Sequence, residues 1–244
     1  MLKERNMVNQ RLEEVFSSLS VKVLKHPYFN DIMKNQELAF TGIEGDNWFI
    51  RNKSKIKENS AEISLLCNWL MPYQNHIDSI LEIGSGAGNK LAQICWQLNA
   101  MGWGVDPSKK AVDFANKNYN KNCKFTVATA DNLSFLNVTF DLVHFGFCLY
   151  LVSRNKINTV IKQADKLVKP GKFLSIIDFD PRTSFENDYV HFEGLKSYKN
   201  NYYKMFCDLG NYSLINKFSF SEKSFCFSKK EDDRICLTLL YKEN

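Results

Sequence analysis

A chain of 244 residues that is 44% hydrophobic and 24% charged is long enough for one α/β domain with an extra segment, and apolar enough to bury a core. Its formal charge of +5 is spread along the chain and forms no basic stripe, which argues against nucleic acid as a partner and slightly favours an anionic small molecule. No apolar run approaches the roughly 18 residues of a membrane helix, the charged start MLKERNMVNQRLEE is no secretory leader, and seven cysteines without a CxxC pair suit a reducing cytoplasm.

In chain order, residues 3–26 read as an amphipathic helix stopped by Pro27, followed by an irregular aromatic-rich stretch, LAFTGIEGDNWFIRNKSK. SAEISLLCNWLMP, about 60–72, reads as a helix with a serine cap and a glutamate near the capping-box position. Strands and helices then alternate. SILEIG is a buried strand, NKLAQICWQLNA a helix, MGWGVD a strand, SKKAVDFANKNY a helix, and CKFTVAT and FDLVHFGF are strands. NKINTVIKQADKLV is a helix and GKFLSIIDF a strand behind the turn KPG. Such alternation predicts a mainly parallel sheet covered on both faces. NYSLINKFSFSE and RICLTLLYKE have no helix between them and predict an antiparallel hairpin at the sheet edge. Residues 1–59 are thus an N-terminal helical cap and lid segment, and 60–244 an α/β domain with an insertion at about 181–210.

The glycines of SILEIGSGAGNKLAQI lie between a strand and a helix, where open α/β sheets bind ligands. A dinucleotide fingerprint, GxGxxG, needs glycine where Asn89 stands, and a phosphate-binding P-loop needs a lysine and a hydroxyl residue that are missing. The turn suits a nucleoside without pyrophosphate. One βα unit later, Asp106 ends a strand, where a carboxylate accepts from both ribose hydroxyls; it also suits a helix N-cap.

ILEIGSGAGNK, GVDPSKKAVDFA, TVATADNLSFLNVTFDLV and LVKPGKFLSIIDF, in this order and at these distances, resemble four successive motifs of the class I S-adenosylmethionine-dependent methyltransferases. The resemblance covers residues 60–180 and implies a Rossmann-like, mainly parallel seven-stranded sheet with an antiparallel C-terminal hairpin, plus an N-terminal helical cap. It implies S-adenosyl-L-methionine as cofactor and S-adenosyl-L-homocysteine as product. Glu82, Gly84, Ser85, Gly86 and Gly88 would surround the methionine part and the sugar, Asp106 would hold the ribose, and Pro107 would lie against adenine. The third motif departs from the common pattern, with Thr129 where an aspartate usually receives the adenine amino group. A threonine oxygen takes that bond, or Asp131 moves in, or adenine is held by the backbone at Ala130. Phe145 and Gly146 fall where the backbone would line the methionine pocket. FTGIEGDNWFIRNK resembles a segment of methylases associated with bacterial surface-sugar (pseudaminic-acid) biosynthesis. That match implies that Trp48 and Arg51 close over the cofactor, Arg51 meeting a carboxylate; otherwise Trp48 and Phe49 anchor the N-terminal helix.

Methyl transfer asks the protein to align the reactants and exclude water, with a base only where the acceptor must lose a proton. His191, among the aromatic residues of YVHFEGLKSYKNNYY, is the expected general base, with Asp178 or Asp180 of IIDFD as orienter or alternative base; the bland reading is a lid packed by tyrosines. Cys148 reads as a packed thiol. No metal-ligand spacing occurs. HFGF stands where an NPPY-like motif would mark amino-nitrogen methylation of DNA or protein. The expected activity is therefore O-methylation of a small polar metabolite such as a sugar or nucleotide sugar in surface polysaccharide biosynthesis, by a cytoplasmic protein, with a homodimer left open. The alternative is a non-catalytic cofactor-binding regulatory or scaffold subunit.

Overall fold

A computed structural model describes residues 35–56, 59–221 and 223–244. The helix expected over 3–26 lies outside the described residues. The stretch read as irregular is helical instead: α1 (Gln36–Ala39), a π-turn (Phe40–Glu44), α2 (Gly45–Asn52) and a single 3-10 turn (Lys53–Lys55) follow without a break. Two glycines and three β-branched residues lower helix propensity there, but the side chains find tertiary partners that propensity does not see.

α3 (Ala61–Leu70) leads into β1 (Ser79–Ile83), α4 (Asn89–Leu98), β2 (Met101–Asp106), α5 (Lys109–Asn118), β3 (Cys123–Val127) and β4 (Phe140–Gly146). Then come α6 (Ile157–Leu167), β5 (Val168–Phe179), the short strands β6 (Phe185–Asp188) and β7 (Lys196–Lys199), α7 (Tyr202–Cys207), β8 (Tyr212–Ser221) and β9 (Arg234–Lys242). The expected capping box at α3 does not form: Ser60 makes no side-chain cap bond, and Glu62 instead pairs with Lys90 at 3.0 Å.

Seven strands make one sheet in the order β3-β2-β1-β4-β5-β9-β8, parallel from β3 to β5 and antiparallel where β9 joins β5 and β8 joins β9. The expected seven-stranded sheet and terminal hairpin are therefore present. β6 and β7 form a separate antiparallel pair inside the insertion. The apolar residues of β1 split between two cores: Ile80 packs with Ile63, Leu66, Leu91 and Ile94 of α3 and α4, while Leu81 and Ile83 pack with Val160, Ile161 and Ala164 of α6. A strand buried on both faces needs a continuous apolar run, which explains SILEI. Glu82 is the charged exception in that run, and it lies two residues before the turn that faces the cleft.

Candidate functional site

A cleft with about 870 Å³ of space, open to solvent, lies at the carboxyl ends of β1, β2 and β4. β2 and β4 flank β1 on opposite sides, so the chain crosses from one side of the sheet to the other at this point, where ligands of open α/β sheets bind. Gly84 and Gly86 line the cleft with φ of 75° and 50°. A Cβ at Gly84 would lie 2.6 Å from both Cβ and Sγ of Cys148, so position 84 has neither the backbone freedom nor the room for a side chain. Gly88 does different work. It caps α4 at φ 81° and packs against Phe125 and Ala115, outside the cleft lining.

Glu82 is 1% exposed, and its Oε2 has no hydrogen-bond partner among the described residues. Burial pushes its carboxyl up to about 8, partly offset by the charge of Lys90. Ser85 is buried behind the turn and its Oγ is likewise unpartnered. Asp106 lines the cleft and holds the turn: Oδ2 accepts from the Gly86 N–H at 2.8 Å and Oδ1 from the Ser108 N–H at 2.9 Å. Burial raises its pKa to about 6 against those two bonds. Asp106 is not the cap of α5; that role falls to Ser108, whose Oγ accepts from the Ala111 N–H at 3.1 Å. Pro107, Thr129, Ala130 and Asp131 complete this end of the cleft. The Asp131 carboxylate pairs with Lys156 at 3.2 Å, and its carbonyl accepts from Gln163.

The helical segment 36–52 roofs the cleft. Gln36, Glu37, Phe40, Gly45 and Trp48 all face it, and Trp48 packs over Gly86. Gln36 donates to the carbonyls of Leu151 and Lys196, and Glu37 accepts from the N–H and hydroxyl of Ser153. Asp46 accepts from the Ser108 hydroxyl at 2.7 Å and the Lys110 N–H at 3.0 Å, which fastens the roof beside Asp106. Arg51 does meet a carboxylate, but of its own segment: Glu44, fully buried, accepts from Arg51 and from the Tyr189 hydroxyl at 2.9 Å. Arg51 is not part of the cleft lining. Phe49 packs with Ala87, Ala111 and Phe114, so it anchors the segment while Trp48 faces the cleft.

The three acid–base candidates do not come together. Asp180 is 6% exposed and bonded to Lys217 Nζ at 2.7 Å and Ser219 Oγ at 2.6 Å, with Arg234 Nε donating to its carbonyl. Asp178 accepts from the N–H of Tyr150 at 3.2 Å and of Phe179 at 2.8 Å, and burial pushes it up to about 8. His191 is exposed between β6 and β7, its ring edge-on to Tyr189 at 5.5 Å. None of the three lines the cleft. Phe145 is also absent from it: the side chain is fully buried against Phe206 at 6.0 Å, and Gly146 and Phe147 face the cleft in its place. His144 is buried with Nδ1 2.6 Å from Ser175 Oγ, and burial lowers it to about 3. Cys148, read as a packed thiol, lines the cleft beside Gly84; its Sγ donates to the Ile83 carbonyl at 3.3 Å, and burial raises the thiol well above its ordinary value.

Sequence reasoning missed Gln36, Glu37 and Phe40 on the roof, and Phe147, Leu151 and Val152 below them. The spacing of Gln36 and Phe40, one helical turn apart, was the available signal.

A protein-family model described as a methyltransferase domain matches residues 80–171. The chain is 30% identical over 122 residues to the ubiquinone/menaquinone biosynthesis C-methyltransferase UbiE of Rickettsia typhi, an alignment covering 44% of this chain and 47% of that protein. It spans about half the length of the curated relatives it matches. The fold is similar to the N-methyltransferase NodS of Bradyrhizobium japonicum in complex with S-adenosyl-L-homocysteine, with a TM-score of 0.57 and 14% identity over 87% of this chain and all of that one. It is also similar to the 1,6-didemethyltoxoflavin-N1-methyltransferase of Burkholderia thailandensis, with a TM-score of 0.61 and 12% identity over 91% of this chain and 92% of that one. The matched stretch contains the turn, Asp106, Thr129–Asp131 and the end of β4. The roof of the cleft lies N-terminal to it.

Proposed function

We propose that this chain binds S-adenosyl-L-methionine in the cleft and transfers its methyl group to a small molecule. The observation that carries the reading is the meeting of the bare turn at Gly84 and Gly86 with Asp106, Pro107 and Thr129–Asp131 in one cleft. The residues suit that cofactor. Its nucleoside carries no phosphate, and no lysine or arginine among the described residues lines the cleft to hold one. Its amino and sulfonium charges are positive, and the buried, unpartnered Oε2 of Glu82 behind the turn is an acceptor without a donor.

Bound there, the cofactor supplies a methyl group already activated by sulfonium charge. The protein's part is binding, alignment and exclusion of water. Asp106 holds the turn in shape with one lone pair of each oxygen and leaves the others for the ribose hydroxyls. Thr129 and Ala130 meet the adenine edge, and Trp48 covers the turn. The segment 36–52 closes the cleft from above and is pinned at Ser108, Ser153 and Tyr189.

A sugar oxygen as acceptor is supported by the short match at 40–52. The cleft adds no support: a hydroxyl acceptor needs a base, and the acids and histidine expected to provide one lie outside the lining.

Isothermal titration with S-adenosyl-L-methionine, S-adenosyl-L-homocysteine and NAD tests the proposal. Micromolar binding of the first two and none of the third is expected. Binding of NAD alone, or of none, overturns it.

A further inference from the structure

The cleft extends past the residues assigned to the cofactor. Asp106 ends β2 on one side of β1, and β4 lies on the other, so the end of the cleft beyond β4 is far from the ribose. That end is walled by Phe40, Phe147, Leu151 and Val152 and roofed by Gln36 and Glu37. Every charged side chain lining the cleft among the described residues is acidic: Glu37, Asp106 and Asp131. Two of them are already engaged, Asp106 with backbone N–H groups on both oxygens and Asp131 with Lys156.

Glu37 differs. Its Oε1 accepts from Ser153, from the N–H at 3.2 Å and from the hydroxyl, while Oε2 has no partner among the described residues. Ser153 therefore holds Oε1 in place and leaves the other oxygen for a ligand. Gln36, buried beside it, ties the helix to Leu151 and Lys196, so the carboxylate stands on a fastened element. An anionic ligand here would lie against an apolar wall and a carboxylate with no cation to meet it, which is costly; a nitrogen donor would gain a charge-assisted hydrogen bond. The cations next to this end are committed elsewhere, Arg154 to the carbonyls of Leu149 and Val152 and the ring of Tyr198, and Lys196 to Glu186 and Asp188.

We propose that the methyl acceptor is an apolar, amine-bearing small molecule whose nitrogen donates to Glu37 while its carbon skeleton packs on Phe40, Phe147 and Leu151. This rests on reading the cleft as a methyl-donor site, and it replaces the anionic acceptor expected from net charge with a cationic or neutral one.

The test uses the full chain saturated with S-adenosyl-L-homocysteine. Naphthylmethylamine, naphthylmethanol and naphthoate, which share a ring system and differ in charge, are titrated into it by calorimetry. The amine binds on the order of tenfold more tightly than the carboxylate, with the alcohol between them. Glu37→Gln keeps the ring contacts and the acceptor oxygen facing Ser153, and it removes the preference while S-adenosyl-L-homocysteine affinity stays unchanged. Naphthoate binding as tightly as the amine, a preference that survives Glu37→Gln, or no binding of any of the three overturns the assignment. Failure of S-adenosyl-L-homocysteine to bind at all would break the methyl-donor reading instead.

Discussion

The turn after β1 and the end of β5 occupy equivalent places, each at the carboxyl end of a parallel strand and each with acids beside it. At the turn, Asp106 bonds only to backbone N–H groups 2.8 and 2.9 Å away and still faces the cleft. At the end of β5, Asp180 is enclosed by Lys217, Ser219 and Arg234, and Asp178 by the N–H groups of Tyr150 and Phe179. Position in the sheet brings an acid to the crevice. Its partners and its burial decide whether it is available to a ligand. The cations and hydroxyl around Asp180 make it a structural member, while Asp178, held by backbone N–H groups as Asp106 is, stays unavailable because it is buried away from the cleft.

That contrast breaks or sharpens at four points, taken here from the largest expected effect to the smallest. Asp180→Ala strands Lys217 and Arg234 beside a vacated buried position and lowers stability by about 3 kcal/mol in urea unfolding, with S-adenosyl-L-homocysteine affinity unchanged. A tenfold fall in that affinity would instead place the end of β5 in the site. Gly84→Ala forces a side chain to φ 75° and against Cys148; about 2 kcal/mol of stability is lost, and the ligand no longer raises the melting temperature. An undiminished ligand-induced rise would show that the turn is not where the cofactor lies. Asp106→Asn keeps the shape but replaces one acceptor oxygen by a donor, and weakens S-adenosyl-L-homocysteine roughly tenfold by titration. Equal affinity would remove Asp106 from the ribose.

The smallest effect is a proton. Glu82 is pushed up to about 8 by burial, so at pH 7 it is mainly neutral before binding. A positive ligand group beside it favours the ionised form and lowers its pKa, so binding releases a proton. Affinity therefore rises with pH between about 7 and 8, by less than about tenfold per unit. Titrations in phosphate and Tris give different heats at pH 7, and Glu82→Gln makes them equal. Asp178, pushed to the same value outside the cleft, contributes nothing to that release. Equal heats in the wild type would contradict the coupling.

The sheet was legible because strands buried on both faces and helices with one apolar stripe write their periods into the local sequence. SILEI followed by glycines, and MGWGVD followed by PSKKAVDF, are local signals, and the turn and Asp106 lie where those signals put them. The acids of IIDFD were misread because their partners lie far along the chain: Lys217 and Ser219 are 37 and 39 residues from Asp180. Arg51 was misread for a different reason: its partner Glu44 is only seven residues away, but it is the helical path of 36–52 that brings the two together. Phe145 fell on the wrong side of a strand whose alternation was hidden by apolar residues on both faces. The roof was hidden by its composition, because glycine and aromatic residues mask a helix that tertiary bonds maintain.

The π-turn within that roof has a consequence for how its length is fixed. The Gly45 N–H reaches back to the Phe40 carbonyl, five residues away, so the turn holds one residue more than an α-turn. An unbroken α-helix would place Trp48 about 120° around the axis from Gln36; absorbing one residue reduces this to about 20°. The bulge is thus a phase corrector that returns both residues to the same side. Removing one residue between 40 and 44 would leave a plain helix with Gln36, Phe40 and Trp48 still aimed at the cleft. Adding one would turn Trp48 away from Gly86. Length variation in this segment is therefore one-sided, with loss tolerated and gain not.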